Sequence, residues 1–340
     1  MLKSSKYILL FLSVFLLGCS HPQKKWEQYS QIKPLMATTA RLDICSDRTL
    51  SDQEMDNIFK PVWDRLEEIA WRMNVFDEKS DIALINRAYP NAATVGADTV
   101  WVIKEALMYH TLTKGTFDIT VWPLIQLWKE GKKNNRVPDP QQIKEVQQSM
   151  GSKMISILSD KEIKLNHSST KIDLGGIAAG YAVDEAARLF RLKGIAHFYI
   201  DIGGDMYVSG HNCKGDKWHI GIRDPKSPSD MAGIVALSDM GITTSGDYNK
   251  YIEIQGERWS HIYNPITGYP QKGVVSATVI APTTIAADAL ATAMTVLGPQ
   301  EGIKMMDGLG EGFAVLVIEP DENMHLKKFY SKRFQEYQLP

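Results

Sequence analysis

The sequence predicts an α+β fold, with mixed or largely antiparallel sheets and packed helices in a single large domain of two intertwined lobes. Three observations predict it. Strand-rich and helix-rich stretches mix along the 340 residues without a regular βαβ rhythm. An amphipathic helix stands out at 98–114, with Val100, Ile103 and Leu107 on one face and Gly115 where a C-cap belongs. After Gly194 the chain turns β-rich through 197–202, 206–208, 218–222 and 234–237, and again at 274–280 and 313–318. Composition is that of a folded protein, 44% hydrophobic and 23% charged. A net charge of −2, with no dense Lys/Arg run, argues against nucleic acid as the main partner.

The N-terminus reads as a targeting segment. Lys3 and Lys6 precede an apolar run from Tyr7 to Leu17, which is short for a spanning helix. It ends in Leu16-Leu17-Gly18-Cys19, which resembles the bacterial lipoprotein signal. The expected division is a signal peptide at 1–18, a lipidated Cys19 with a polar tether at 19–34, and the folded domain at 35–340. Lipid on Cys19 would anchor the chain to a bacterial membrane, facing the periplasm. Of the three Cys this leaves Cys45 and Cys213, which an exported chain can pair, although the sequence does not show that it does. That count excludes a Cys-based metal site.

Each remaining element has a local reason. Leu35 to Cys45 suggests a strand. Ser51-Asp52-Gln53-Glu54 fits a capping box opening a helix to about Met73, with a kink expected at Pro61. A loop from Met73 leads into a short helix ending near Asn86. Lys129 to Pro140, charged and proline-bearing, predicts an exposed loop, and Gln141 to Met150 a short polar helix stopped by Gly151. Ile155 to Leu165 reads as strands. Lys171-Ile172-Asp173-Leu174 runs into Gly175-Gly176-Ile177-Ala178-Ala179-Gly180 and then a helix to Lys193. Such a turn can present backbone N–H groups to phosphate, or its glycines can simply allow close helix–sheet packing. The helix 283–297 is stopped by Gly298-Pro299.

Two places gather chemistry. Thr243 to Tyr248 reads as a polar turn leading into a hairpin, with strands at 251–254 and from Trp259 to Pro265. It brings Ser245, Asp247 and His261 to adjacent strand ends, residue types that handle protons and oxygen-rich ligands. On the helix, Asp288 and Thr292 are four apart and share a face, flanked by Thr284 and Thr295 and opposite Leu290, Ala293 and Leu297. A carboxylate and a hydroxyl suit a hard cation such as Mg²⁺. Equally, Asp288 can serve the helix N-terminus and Thr292 its own i−4 carbonyl.

Taken together, the segments resemble the ApbE-type FAD:protein FMN transferases. The carrying stretches are Met36-Ala37-Thr38, Met73 to Asn86, Gly115-Thr116-Phe117-Asp118-Ile119-Thr120, Ile172 to Asp184, Asp201-Ile202-Gly203-Gly204-Asp205, the hairpin with Ser260-His261-Ile262, and Ala287 to Ala293. They run in order over nearly the whole mature chain. The resemblance implies FAD as substrate, with Mg²⁺ on its pyrophosphate held by Asp288, Thr292 and a backbone carbonyl near Ala178. It implies attack by a Ser or Thr hydroxyl of an acceptor flavoprotein on the FMN-side phosphorus, with AMP leaving. His261 is the candidate base, and Met36, Phe76, Thr116, Phe117, Asp118, Asp173 and Ile262 the flavin and adenine contacts. The implied acceptor is a subunit of a membrane redox complex, which would favour the inner membrane. Two positions depart from the family pattern: Ala37 replaces a common Gly, and Ala179 a common Lys that would contact phosphate. A Mg²⁺-dependent FAD pyrophosphatase and a non-catalytic flavin-binding lipoprotein stay open as alternatives.

Overall fold

The computed structural model describes residues 26–227, 229–246 and 251–339. The expected signal peptide, Cys19, Asp247 and Tyr248 lie outside them. The first element corrects the expected tether: Glu27–Leu35 is a strand, β1, paired antiparallel with β2 (Thr38–Ser46) from Glu27↔Ser46 to Leu35↔Thr38. Its polar composition hid it, because the inward residues are polar and partnered. The Tyr29 hydroxyl accepts from the Leu50 N–H at 2.8 Å, and Gln31 Oε1 from Trp63 Nε1–H at 2.6 Å. Met36 and Ala37 form the two-residue turn, both in the left-handed region at φ 48° and 58°. Ala37 thus bears a backbone strain that the glycine common at this position would not.

Helix α1 (Asp52–Arg72) opens with the expected capping box and runs unbroken through Pro61, burying Phe59, Val62, Leu66 and Ile69. Helix α2 (Asp81–Arg87) follows its Ser80 cap, then β3 (Ala92–Thr94) and α3 (Ala97–Leu112), with Gly115 at φ 84° just beyond. Trp122–Lys133 is a helix, α4, where Lys129 onward had read as loop. The charged run is its solvated side, while Leu124 and Trp128 are fully buried. Helix α5 (Pro140–Gln147) starts from an Asp139 capping box. Strands β4 (Ile155–Ile157) and β5 (Glu162–Leu165) join β3 in a small sheet.

Helix α6 (Ala178–Leu192) and strands β6 (Phe198–Ile202), β7 (Asp205–Ser209), β8 (Trp218–Arg223) and β9 (Met231–Leu237) agree with the sequence reading. The stretch expected as a polar turn does not: Met240–Gly246 is β10, inside the main sheet between β7 and β13 (Ser276–Ala281). Thr244 and Thr278 face each other there with hydroxyls 2.8 Å apart, so β-branched polar residues are cross-strand partners. The hairpin itself is β11 (Tyr251–Ile254) and β12 (Glu257–Ser260), so its second strand ends at 260 rather than 265. The segment Thr284–Gly308, α7, is two helices that meet at Gly298, φ 73°, so the expected stop at Gly298-Pro299 ends the first of them. Strands β14 (Ala314–Pro320) and β15 (Leu326–Tyr330) complete an eight-stranded sheet in the order β1-β2-β6-β7-β10-β13-β14-β15, antiparallel throughout.

Helices α1, α6 and α7 cover one face of this sheet. On the other face, the β8–β9 hairpin packs Ile220, Ile222 and Val235 against Val208, Ile242 and Leu316. Cys45 and Cys213 are joined in a disulfide that ties the end of β2 to the loop before β8. Among the described residues no helix is long and apolar enough to cross a membrane.

Candidate active site

A cleft of about 1190 Å³ opens where α6, α7, β10 and the loops after α3 and β12 meet. Its floor depends on how closely α6 and α7 approach. A Cβ at Gly180 would lie 2.6 Å from the Thr284 carbonyl oxygen and 2.9 Å from Asp288 Cβ, so glycine is required there. Its N–H donates to Asp288 Oδ2 at 3.1 Å. One turn further along α6, Asp184 caps α7 from outside the helix. Thr284 N–H donates to its Oδ1 at 2.8 Å and Ile285 N–H to its Oδ2 at 2.9 Å, and no side chain of Thr283 does so. Burial pushes the Asp184 carboxyl up to about 6.

Asp288 and Thr292 both line the cleft, and Thr292 Oγ1 lies 3.4 Å from Ser245 Oγ. Their expected flankers do not line it: the Thr284 hydroxyl donates to the Met206 carbonyl at 3.3 Å, and that of Thr295 to the Thr292 carbonyl at 2.7 Å. Asp205, at the start of β7, joins the site. Burial and then the charge of Asp201 raise it to about 7. Asp288 is raised well above the usual carboxylate range by burial first and then by Asp205. A carboxylate pair that repels itself, a hydroxyl and nearby backbone form a hard-oxygen donor set, and a divalent cation fits it. Ala178, the first residue of α6, is buried two positions before Gly180 and does not itself line the cleft. No group of three or more His, Cys, Asp or Glu that could hold a metal occurs among the described residues. Such a cation would therefore depend on few protein ligands.

His261 and Ile262 reach the cleft from the segment after β12. A separate aromatic core holds that segment. Trp128 of α4 lies 5.0 Å from Trp259 and 6.3 Å from Tyr263, ring centre to ring centre, and its Nε1–H donates to the Gly268 carbonyl at 2.9 Å. From the other wall come Thr116, Phe117, Asp118 and Asp173. The Thr116 hydroxyl donates to the Thr113 carbonyl at 2.9 Å, and Asp118 accepts from the Thr120 N–H and hydroxyl at 2.7 and 2.6 Å. Asp173 accepts from the Gly175 N–H at 2.9 Å, which orders the glycine turn. Burial raises both Asp118 and Asp173. Met36 and Phe76 do not line the cleft. Met36 sits in the β1–β2 turn. Phe76 is 74% exposed, stacked edge-on against Trp122 at 5.6 Å. Lys129 lies over both rings, and its charge reaches Asp173.

Residues 36–317 match the sequence profile of the ApbE family. The chain belongs to the ApbE family. Curated relatives include the FAD:protein FMN transferase of Haemophilus influenzae, 28% identical over 95% of both chains, and that of Vibrio cholerae, 29% identical over 97% of this chain and 98% of its own. The enzyme of that name from Escherichia coli K12 is 32% identical over 69% of this chain and 68% of its own. Among solved structures, the flavin transferase ApbE from Vibrio cholerae superposes with a TM-score of 0.81 at 29% identity, covering 92% of this chain and 99% of its own. The apo flavinyl transferase ApbE of Pseudomonas stutzeri gives 0.80 at 27% identity, over 92% and 96%.

Within this ApbE-family chain, sequence reasoning gave Asp205 no role, although it lay in a stretch that carried the resemblance. Its signal was its position after Gly203 and Gly204, both at positive φ, in the turn that reverses β6 into β7. Arg41, Tyr199 and Arg223, which line the far end of the same cleft, had no sequence signal at all.

Proposed function

We propose that this chain transfers the FMN half of FAD to a Ser or Thr hydroxyl of an acceptor flavoprotein, using Mg²⁺ and releasing AMP. The observation that carries the reading is the convergence of His261, Asp288 and Thr292 on one cleft in an ApbE-family chain. Asp288 and Thr292, with backbone near Ala178, would hold the Mg²⁺. When bound, the ion neutralises charge developing on the diphosphate oxygens. The walls at Thr116, Phe117, Asp118, Asp173 and Ile262 hold and orient FAD, so that its FMN-side phosphorus faces the acceptor. The acceptor oxygen forms the new P–O bond while the bond to the bridging oxygen breaks and AMP departs with that oxygen. His261 takes the hydroxyl proton as attack proceeds, because a neutral hydroxyl is a poor nucleophile.

We also place the chain, by the same reading, on the periplasmic side of a bacterial membrane, anchored through lipid on Cys19. Its acceptor would then be a subunit of a membrane redox complex. The Cys45–Cys213 disulfide supports an oxidising compartment. The function is tested by mixing the chain from Ser20 onward with FAD, Mg²⁺ and a candidate acceptor domain, then reading the acceptor's intact mass with and without EDTA. A Mg²⁺-dependent gain of one FMN is expected. AMP release with no gain would instead assign a FAD pyrophosphatase, and bound FAD with neither signal a binding protein.

A further inference from the structure

We propose that the outer edge of β8 is the docking strand for the acceptor polypeptide. Its Ser- or Thr-bearing segment would lie extended over the outer face of β1, β2 and β6 and end at Asp288 and His261. This deepens the transfer reading above and rests on it.

The first observation is a sheet face left half covered. The β8–β9 hairpin packs over the end of the main sheet that holds β7, β10 and β14. It reaches toward the other end through Trp218, whose ring lies 5.9 Å from Tyr199. Beyond that point Gln28, Ile32, Arg41, Tyr199 and Asp201 point outward and line the cleft, with Ile32 60% exposed. Their in-between neighbours, Leu42, Ile44 and Ile200, are buried in the helical core. The exposed face is already satisfied electrostatically. Arg41 donates twice to Asp43, at 2.9 and 2.7 Å, and Gln28 donates to Asp43 at 3.0 Å. Asp201 accepts from the Tyr199 hydroxyl at 3.0 Å and the Gly204 N–H at 2.8 Å. Such a surface can carry a passing chain without demanding one charge pattern from it.

The second observation is the free edge. On the far side of β9, Ala236 N–H donates to the Tyr337 carbonyl and the Ile234 carbonyl accepts from Leu339 N–H, both at 2.8 Å. The backbone groups of Ile234 and Ala236 therefore turn away from β8, and Val235 and Leu237 turn toward it. By register these face Ile220 and Trp218. It follows that the N–H and C=O groups of His219 and Gly221 point outward, where β8 has no neighbouring strand among the described residues. Both residues line the same cleft.

The third observation is continuity. The one cleft runs from His219, Gly221 and Arg223 to Asp288, Thr292 and His261, and its 1190 Å³ exceeds the roughly 300–1,000 Å³ usual for a small-molecule site. Strand addition takes its affinity from main-chain hydrogen bonds and so suits a substrate that is itself a polypeptide. Arg223 makes no ion pair among the described residues, so a carboxylate on the incoming segment is its natural partner.

The test measures hydrogen exchange at the 219 and 221 amides of the unaltered chain with FAD. The probe is an acceptor domain whose target Ser or Thr is Ala, so that it docks and does not react. Transfer kinetics to the intact acceptor are then compared for His219→Pro, which removes one outward N–H, and His219→Ala, which keeps it. The expected result is protection of both amides, and for the Pro variant an acceptor KM at least about tenfold above that of the Ala variant, with FAD affinity equal in the two. Transfer by the unaltered chain without protection, and with equal KM values, would overturn the docking strand and leave the transfer reading standing. Protection without any transfer would keep the strand and overturn the transfer reading; absence of both would overturn both. Protection that grows with the chain's own concentration, with no acceptor added, would assign the edge to self-pairing and overturn the proposal.

Discussion

A single backbone N–H decides how Asp288 sits. Gly180 lets α6 approach within hydrogen-bonding distance, and any larger residue meets the Thr284 carbonyl. Gly180→Ala is expected to cost about 1–3 kcal/mol, as overpacked sites do, and to weaken Mg²⁺ binding because the donor moves. Thermal denaturation and a Mg²⁺ titration of FAD turnover would check both; an unchanged midpoint would show that the helices slide apart at little cost. Asp288→Ala should raise the Mg²⁺ concentration needed for half-maximal transfer while the chain stays folded, and an unaltered requirement would take Asp288 out of the metal site. His261→Ala should cut transfer by about 10²–10⁴-fold and spare FAD binding, the range expected for loss of a general base. Normal transfer by that variant would end its assignment as base. The sequence supplied these three residue types and the spacing of Asp288 to Thr292. It did not single out Asp205, whose carboxyl is raised by burial and then by Asp201 across the β6–β7 turn.

Local signals were strongest for helix ends. The Ser51–Glu54 box is present as read, with Glu54 accepting from the Ser51 N–H at 2.9 Å. That bond, followed by the one to Arg48, holds the Glu54 carboxyl down at about 2. A depressed carboxylate stabilises the fold above its unfolded value of 4.5, and this contribution is lost as pH falls toward 2. The gap in urea midpoint between the wild type and Glu54→Gln is therefore expected to be full near about pH 6, to shrink below about pH 4.5 and to close only below about pH 2. A gap constant across that range would mean that the carboxylate's charge plays no part in the cap. Signals failed where an element owes its burial to distant partners. Helix α4 was missed because Lys129 to Lys133 is charged, while Trp128, which anchors it, packs on Trp259 from far along the chain. Strand β1 was missed because its inward Tyr29 and Gln31 are satisfied by Leu50 and Trp63.

At the scale of the molecule, the disulfide closes a segment 168 residues long between Cys45 and Cys213. In the chain-entropy view a loop of that length contributes up to about 5 kcal/mol by restricting the unfolded ensemble. Cys45→Ser with Cys213→Ser is expected to lower the melting temperature by several degrees or more and to leave the FAD site assembled, as calorimetry and flavin binding would show. No change in melting would mean that the fold gains nothing from the link. The sequence by itself determined the fold class, most helix boundaries, the pairing of Asp288 with Thr292 on one helical face, and the glycine turn before α6. Each of these depends on neighbours within a few residues, where periodicity and capping act. Only the tertiary structure decided that β10 lies in the main sheet, that Asp205 faces Asp288, that the cysteines are joined, and that Met36 and Phe76 stand away from the cleft. Those outcomes depend on contacts between segments tens to hundreds of residues apart, which are set by packing and strand register, and no local pattern encodes them.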